Sequence, residues 1–139
     1  SDFLDRHEWL GTHDPAAVLS VPTAIEMQHR HDWPAVRARC HDLAVRVAER
    51  AALVDGVARV HADDRFVQMA LLELTDGFLP GCEVGDVRRG LLDDWRIEVP
   101  VTAWTDDRGR VRRLIRVSIQ AYNTPGDVDH LVAALRSMA

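Results

Sequence analysis

A chain of 139 residues is the size of one domain, and 47% hydrophobic with 28% charged residues is the composition of a globular protein, not a disordered or fibrous one. The formal net charge of −5 argues against a general nucleic-acid or anionic-membrane binder. No apolar run approaches membrane-spanning length, and two cysteines, Cys40 and Cys82, make neither a disulfide framework nor a metal knuckle.

The first 32 residues read as a loop and a short helical stretch. Asp14 is the expected N-cap with Pro15 at the first helical position, and Pro22 breaks or restarts that helix. From Trp33 the apolar residues Val36, Cys40, Leu43, Val47, Ala51 and Val54 recur at spacings of three and four, which predicts a long helix. Asp32 is its expected cap, and Asp55-Gly56 its end. FVQMALLEL (66–74) reads as a strand that is apolar on both faces. VGDVRRGLLDDW (84–95) reads as a helix weakened by Gly90. IEVPVTAW (97–104) alternates as a strand, and Pro100 places it at an edge or a bulge. DDRG (106–109) is a hairpin turn. A strand then runs into a helix capped at Thr124-Pro125, with the stripe Val128, Leu131, Val132 and Leu135. The expected fold is α+β, a small two-layer sandwich in the order α-β-α-β-β-α with helices against one side of a sheet. Residues 1–32 fit poorly into it.

An arginine, Arg116, sits in the middle of the last strand. Side chains alternate along a strand, so Ile115, Val117, Ile119 and Ala121 share the core face, and Arg116, Ser118 and Gln120 share the other with Leu114. From spacing alone, a solvated arginine paired with one of the 22 acids is favoured over a ligand site. All 17 basic residues are arginine, and a guanidinium cannot act as an amine nucleophile. His29 and His31 lack a third ligand nearby, so no metal site is expected. Arg108, Arg110, Arg112 and Arg113 flank the hairpin turn and are expected to be solvated, balanced by Asp106 and Asp107. The N-terminal stretch SDFLDRHEWLG lacks the layout of a signal peptide, and a reducing cytoplasm is the expected compartment.

The run L-I-R-V-S-I-Q-A-Y-N-T (114–124) with the capped helix after it resembles the C-terminal signature of class V aminotransferase-fold enzymes, which depend on pyridoxal phosphate. W-L-G-T-H-D-P-A-A-V-L-S-V-P-T-A-I (9–25) resembles the same family independently, in the expected order. W-P-A-V-R-A-R-C-H-D-L-A (33–44), F-V-Q-M (66–69) and R-I-E-V-P-V (96–101) extend the likeness over nearly the whole chain, closest to the isopenicillin N epimerase-like branch.

That resemblance implies a fold type I enzyme acting at the α-carbon of an amino-acid-type substrate. It implies that Arg116 grips the substrate's α-carboxylate. Gly11 and Thr12 would reach the cofactor phosphate of the neighbouring subunit of a homodimer. The family's cofactor-holding lysine, its stacking residue and its acid for the pyridine nitrogen lie in a large domain N-terminal to the match. The expectation is therefore a C-terminal segment of a longer enzyme. Residues 1–32 would be a remnant of the large cofactor domain, and 33–139 the C-terminal small domain, inactive by itself. The alternative is a non-catalytic interaction or dimerisation module, or one half of a split enzyme. Cysteine desulfurases, the neighbouring branch, carry a nucleophilic cysteine between the strands that correspond to 97–104 and 111–119. The TDDRGR connection here has none, which disfavours that activity.

Overall fold

The structure, a computed structural model, describes residues 3, 11, 14–63 and 67–139. The chain divides into two compact units, Ser1–Trp33 and Pro34–Ala139.

In the first unit, α1 (Ala16–Leu19) and α2 (Val21–Arg30) are separated at Ser20. The Asp14 carboxylate accepts the Ala16 N–H at 2.9 Å, so it caps α1 as its sequence position suggests, although Pro15 takes the N-cap place and not the first helical position. Pro22 stands in the first turn of α2, where a missing N–H costs no intrahelical bond, and so restarts the helix. Asp32 departs from expectation. It holds φ of +45°, whereas an N-cap has extended backbone, and its N–H donates to the His29 carbonyl at 3.4 Å. Aspartate tolerates the left-handed region, and here it closes α2.

The second unit is built on α3 (Trp33–Ala51), which buries Cys40, Leu43, Ala44, Val47, Ala48 and Ala51 as one stripe. The elements that follow are β1 (Val57–Arg59), β2 (Met69–Leu74), α4 (Val84–Trp95), β3 (Val101–Thr105), β4 (Val111–Ser118) and α5 (Pro125–Met138). The four strands form an antiparallel sheet in the order β1-β2-β4-β3, confirming the α+β class. Strand β1 is the addition to the expected order; three residues are too few for alternation to reveal it. β3 is an edge strand, as Pro100 requires, and the Pro100 carbonyl accepts the Arg116 N–H at 3.1 Å.

One face of the sheet carries the core. Val57, Ala70, Leu72, Leu74, Val101, Ile115 and Val117 are buried in one cluster with the helix stripes, including Val87 and Leu91 of α4 and Val128, Leu131, Val132 and Leu135 of α5. Ala121, expected on that face, is exposed: β4 ends at Ser118, and the chain turns where the Asn123 side-chain oxygen accepts the Gln120 N–H at 2.8 Å. Thr124 and Asp127 then cap α5 reciprocally, side chain to backbone in both directions.

Two glycines have packing reasons. A side chain at Gly90 would meet the Met138 methyl at 3.1 Å, so the helix-weakening residue admits α5. Gly56 stands at φ of +75°, and a Cβ there would lie 2.5 Å from the Phe78 nitrogen. Its carbonyl accepts both the N–H (2.8 Å) and the hydroxyl (3.1 Å) of Thr75, locking the turn before β1 to the end of β2. Gly56→Ala meets both the backbone conformation and the clash. It is expected to cost about 2–3 kcal/mol, read from urea unfolding.

Candidate functional site

Three arginines of β4 meet three different environments. Arg112 is half-buried and donates from Nε (2.8 Å) and Nη2 (2.5 Å) to the two carboxylate oxygens of Glu73 on β2, a bidentate pair. Hydrogen bonding from Arg112 holds the Glu73 carboxyl below its ordinary value, and the same bond raises Arg112. Arg113 points to the other side. Its Nη2 donates to the carbonyls of Thr75 and Phe78, each at 2.6 Å, and its Nη1 to those of Leu79 (3.3 Å) and Cys82 (3.1 Å). It therefore ties down the loop from β2 to α4. Neither is the solvated hairpin residue that its position suggests. Arg110, by contrast, stays exposed and pairs with Asp106 in the turn, where Asp106 also accepts the Arg108 and Arg110 backbone N–H groups.

Arg116 is exposed and, among the described residues, forms no ion pair. The expected acid partner is absent there, because Glu73, the acid that β2 puts on this face, is already committed to Arg112. Arg116 is paired with Leu71 across the β2–β4 ladder and fixed on its other side by the bond to Pro100. It lines an open hollow of about 730 Å³ together with His61, Val67, Gln68, Met69, Leu71, Ser118, Ile119 and Gln120. A second hollow of about 430 Å³ is lined by Arg112, Arg113, Cys82 and Glu83, but the guanidiniums of that pair are spent on Glu73 and on loop carbonyls.

Gly11 belongs to the first unit, is exposed, and takes φ of +62°, with nothing among the described residues within 4 Å of where a Cβ would sit. Thr12 lies outside the described residues. Among the described residues no three His, Cys, Asp or Glu side chains gather as metal ligands. Cys40 is buried at 1% exposure within the α3 stripe, where it acts as a small apolar residue. Sequence reasoning did not place Met69 and Leu71 beside Arg116 in the hollow. The signal was present in the strand's second apolar face, which the core does not need.

A strand arginine beside an open hollow, on the uncovered face of a small α+β sandwich, can receive a carboxylate. No family model matches the sequence. The isopenicillin N epimerase of Amycolatopsis lactamdurans is 32% identical over 139 residues, 100% of this chain and 33% of that protein. The isopenicillin N epimerase of Streptomyces clavuligerus is 29% identical over 140 residues, 97% of this chain and 32% of that protein. A protein of Arabidopsis thaliana named "Probable L-cysteine desulfhydrase, chloroplastic" is 25% identical over 137 residues, 94% of this chain and 29% of its own length. The chain spans about a third of the length of these relatives. It is homologous to the isopenicillin N epimerases, consistent with the C-terminal part of a class V aminotransferase-like protein.

The Glu73–Arg112 pair makes a pH-dependent contribution whose sign is fixed. A carboxyl that holds its proton less tightly when folded stabilises fully above the ordinary value of 4.5, and loses that stabilisation as pH falls below it. Glu73→Gln is therefore expected to cost about 1 kcal/mol at neutral pH. In urea titrations the gap from the parent should close as the pH is lowered through the acid range. Arg113→Met removes a donor from four carbonyls, of which those of Thr75 and Leu79 keep the backbone N–H groups of Phe78 and Cys82, and should cost more, about 2 kcal/mol.

Proposed function

We propose that this chain is the C-terminal segment of a pyridoxal-phosphate-dependent enzyme resembling isopenicillin N epimerase, and that Arg116 grips the α-carboxylate of an amino-acid-type substrate. The observation that carries the reading is the guanidinium itself: exposed, unpaired among the described residues, and beside a hollow. Two further supports are the motif around it and the names of the relatives.

A guanidinium presents two parallel N–H donors to a carboxylate. Hydrogen bonding of β4 to strands on both sides fixes the backbone and the face from which it projects, which lowers the cost of orienting the α-carbon. Pyridoxal phosphate, when bound, supplies the electron sink that lets the α-carbon give up a proton. Gly11 and Thr12 are assigned to the phosphate of that cofactor in a neighbouring subunit, so the working enzyme is a homodimer. The left-handed backbone of Gly11, a conformation glycine adopts without strain, is the support for that assignment. Residues 1–32 belong with the large cofactor domain in this reading, and 33–139 form the small domain. The lysine that holds the cofactor comes from outside these residues, which contain none, so the chain alone turns over no substrate.

A second reading, a non-catalytic interaction or dimerisation module, draws on the same lack of lysine and on α2. That helix buries none of its residues and leaves Val21, Ile25 and Met27 half-exposed.

The two readings separate in the protein joined to its lysine-bearing domain. Added pyridoxal phosphate should give the absorption band of a lysine-bound cofactor, absent from the 139-residue chain alone. Arg116→Gln should raise the substrate KM about 100-fold with a much smaller change in kcat. A joined protein that binds no cofactor leaves the module reading standing. An unchanged KM removes Arg116 from the site.

A further inference from the structure

We infer that the hollow beside Arg116 also selects the substrate's side chain: Met69 and Leu71, with Val67 beyond them, form an apolar subsite for an α-amino acid carrying an extended uncharged chain. The inference rests on Arg116 as the carboxylate receptor and adds what stands next to that carboxylate.

Leu71 faces Arg116 directly across the β2–β4 ladder, and Met69, opposite Ser118, is its diagonal neighbour. Direct cross-strand neighbours have Cβ atoms about 4.5–5.5 Å apart, and diagonal ones about 7–8 Å, within reach of long side chains. One ligand can therefore touch all three. The solvent face of an antiparallel sheet ordinarily turns polar, but here Val67 is 64% exposed and Met69 51%. β2 already fills the core through Ala70, Leu72 and Leu74, so the second apolar row contributes nothing there.

The occupant's chemistry follows from the lining. The volume, about 730 Å³, falls within the range of small-molecule sites. Arg116 is the lining residue with a permanent charge, and the Gln68 amide is tied to the Ile119 carbonyl at 3.2 Å. Among the described lining residues, a side chain ending in a second carboxylate would find no second permanent cation. An uncharged chain would cover Met69 and Leu71, and the thioether of Met69 adapts to its shape.

The test is a titration of the isotope-labelled 139-residue chain, followed by amide NMR, with acetate, hexanoate and hexylamine. Hexanoate should shift the amides of Met69, Leu71 and Arg116. It should bind about tenfold more tightly than acetate, the open hollow covering roughly half of four further methylenes. Hexylamine, with the same chain and the opposite charge, should leave those amides unmoved. Met69→Ser and Leu71→Thr should each narrow the hexanoate-to-acetate ratio to about threefold, with the dispersion of the amide spectrum checking the fold of each variant. Equal binding of acetate and hexanoate, both lost in Arg116→Gln, overturns the subsite and keeps the carboxylate receptor. Hexanoate binding unchanged in Arg116→Gln overturns both. So does shift mapping to other residues, or no shift from any probe.

Discussion

The antiparallel pairing of β2 with β4 fixes the strand residues that line the hollow beside Arg116. Met69 with Ser118, Leu71 with Arg116 and Glu73 with Leu114 are rungs of one ladder. Between them Ala70, Leu72, Ile115 and Val117 are drawn under the helices, at 0–5% exposure, by the ordinary gain from apolar burial. Pleating then leaves the alternate residues no choice of face. The core is what sets the face from which Arg116 projects, although no core atom belongs to the hollow's charge.

Charge on β4 is disposed of in three ways within five residues. Arg112 meets a carboxylate bidentately, Arg113 turns inward to four carbonyls, and Arg116 keeps its donors for something else. The first two arrangements join β4 to β2 and to the loop after it, which stiffens the strand that carries the third. A planar fork with five donors suits each of these tasks, where a lysine would offer a single point charge.

Much of this was legible in the amino-acid sequence. The 3.6-residue period of α3, the turn chemistry of 106–109, the Thr124 cap and the alternation around Arg116 all follow local rules, and local rules decided them. Asp32 and Ala121 went otherwise because neighbours decided: the first ends the helix before it, and the second lies past a turn that Asn123 closes. β1 is too short to carry a period. The fate of Arg113 depends on where four carbonyls from residues 75–82 converge, and sequence spacing does not encode that convergence. The apolar patch at Met69 and Leu71 was visible as a strand greasy on both sides, but its meaning needed the sheet order, which leaves that side uncovered among the described residues.

Pleating also limits how such a site can drift. Were the guanidinium transplanted by one position, to 115 or 117, it would be driven among the side chains beneath the helices, at a cost of several kcal/mol for a charge without a partner. Steps of two, to 114 or 118, keep it on the same face, in the hollow at 118 and beyond its lining at 114, and move it roughly 7 Å along the strand. Ligand reach in descendants of this sheet would thus change in coarse increments, and finer adjustment would fall to the chain lengths of the residues across from it.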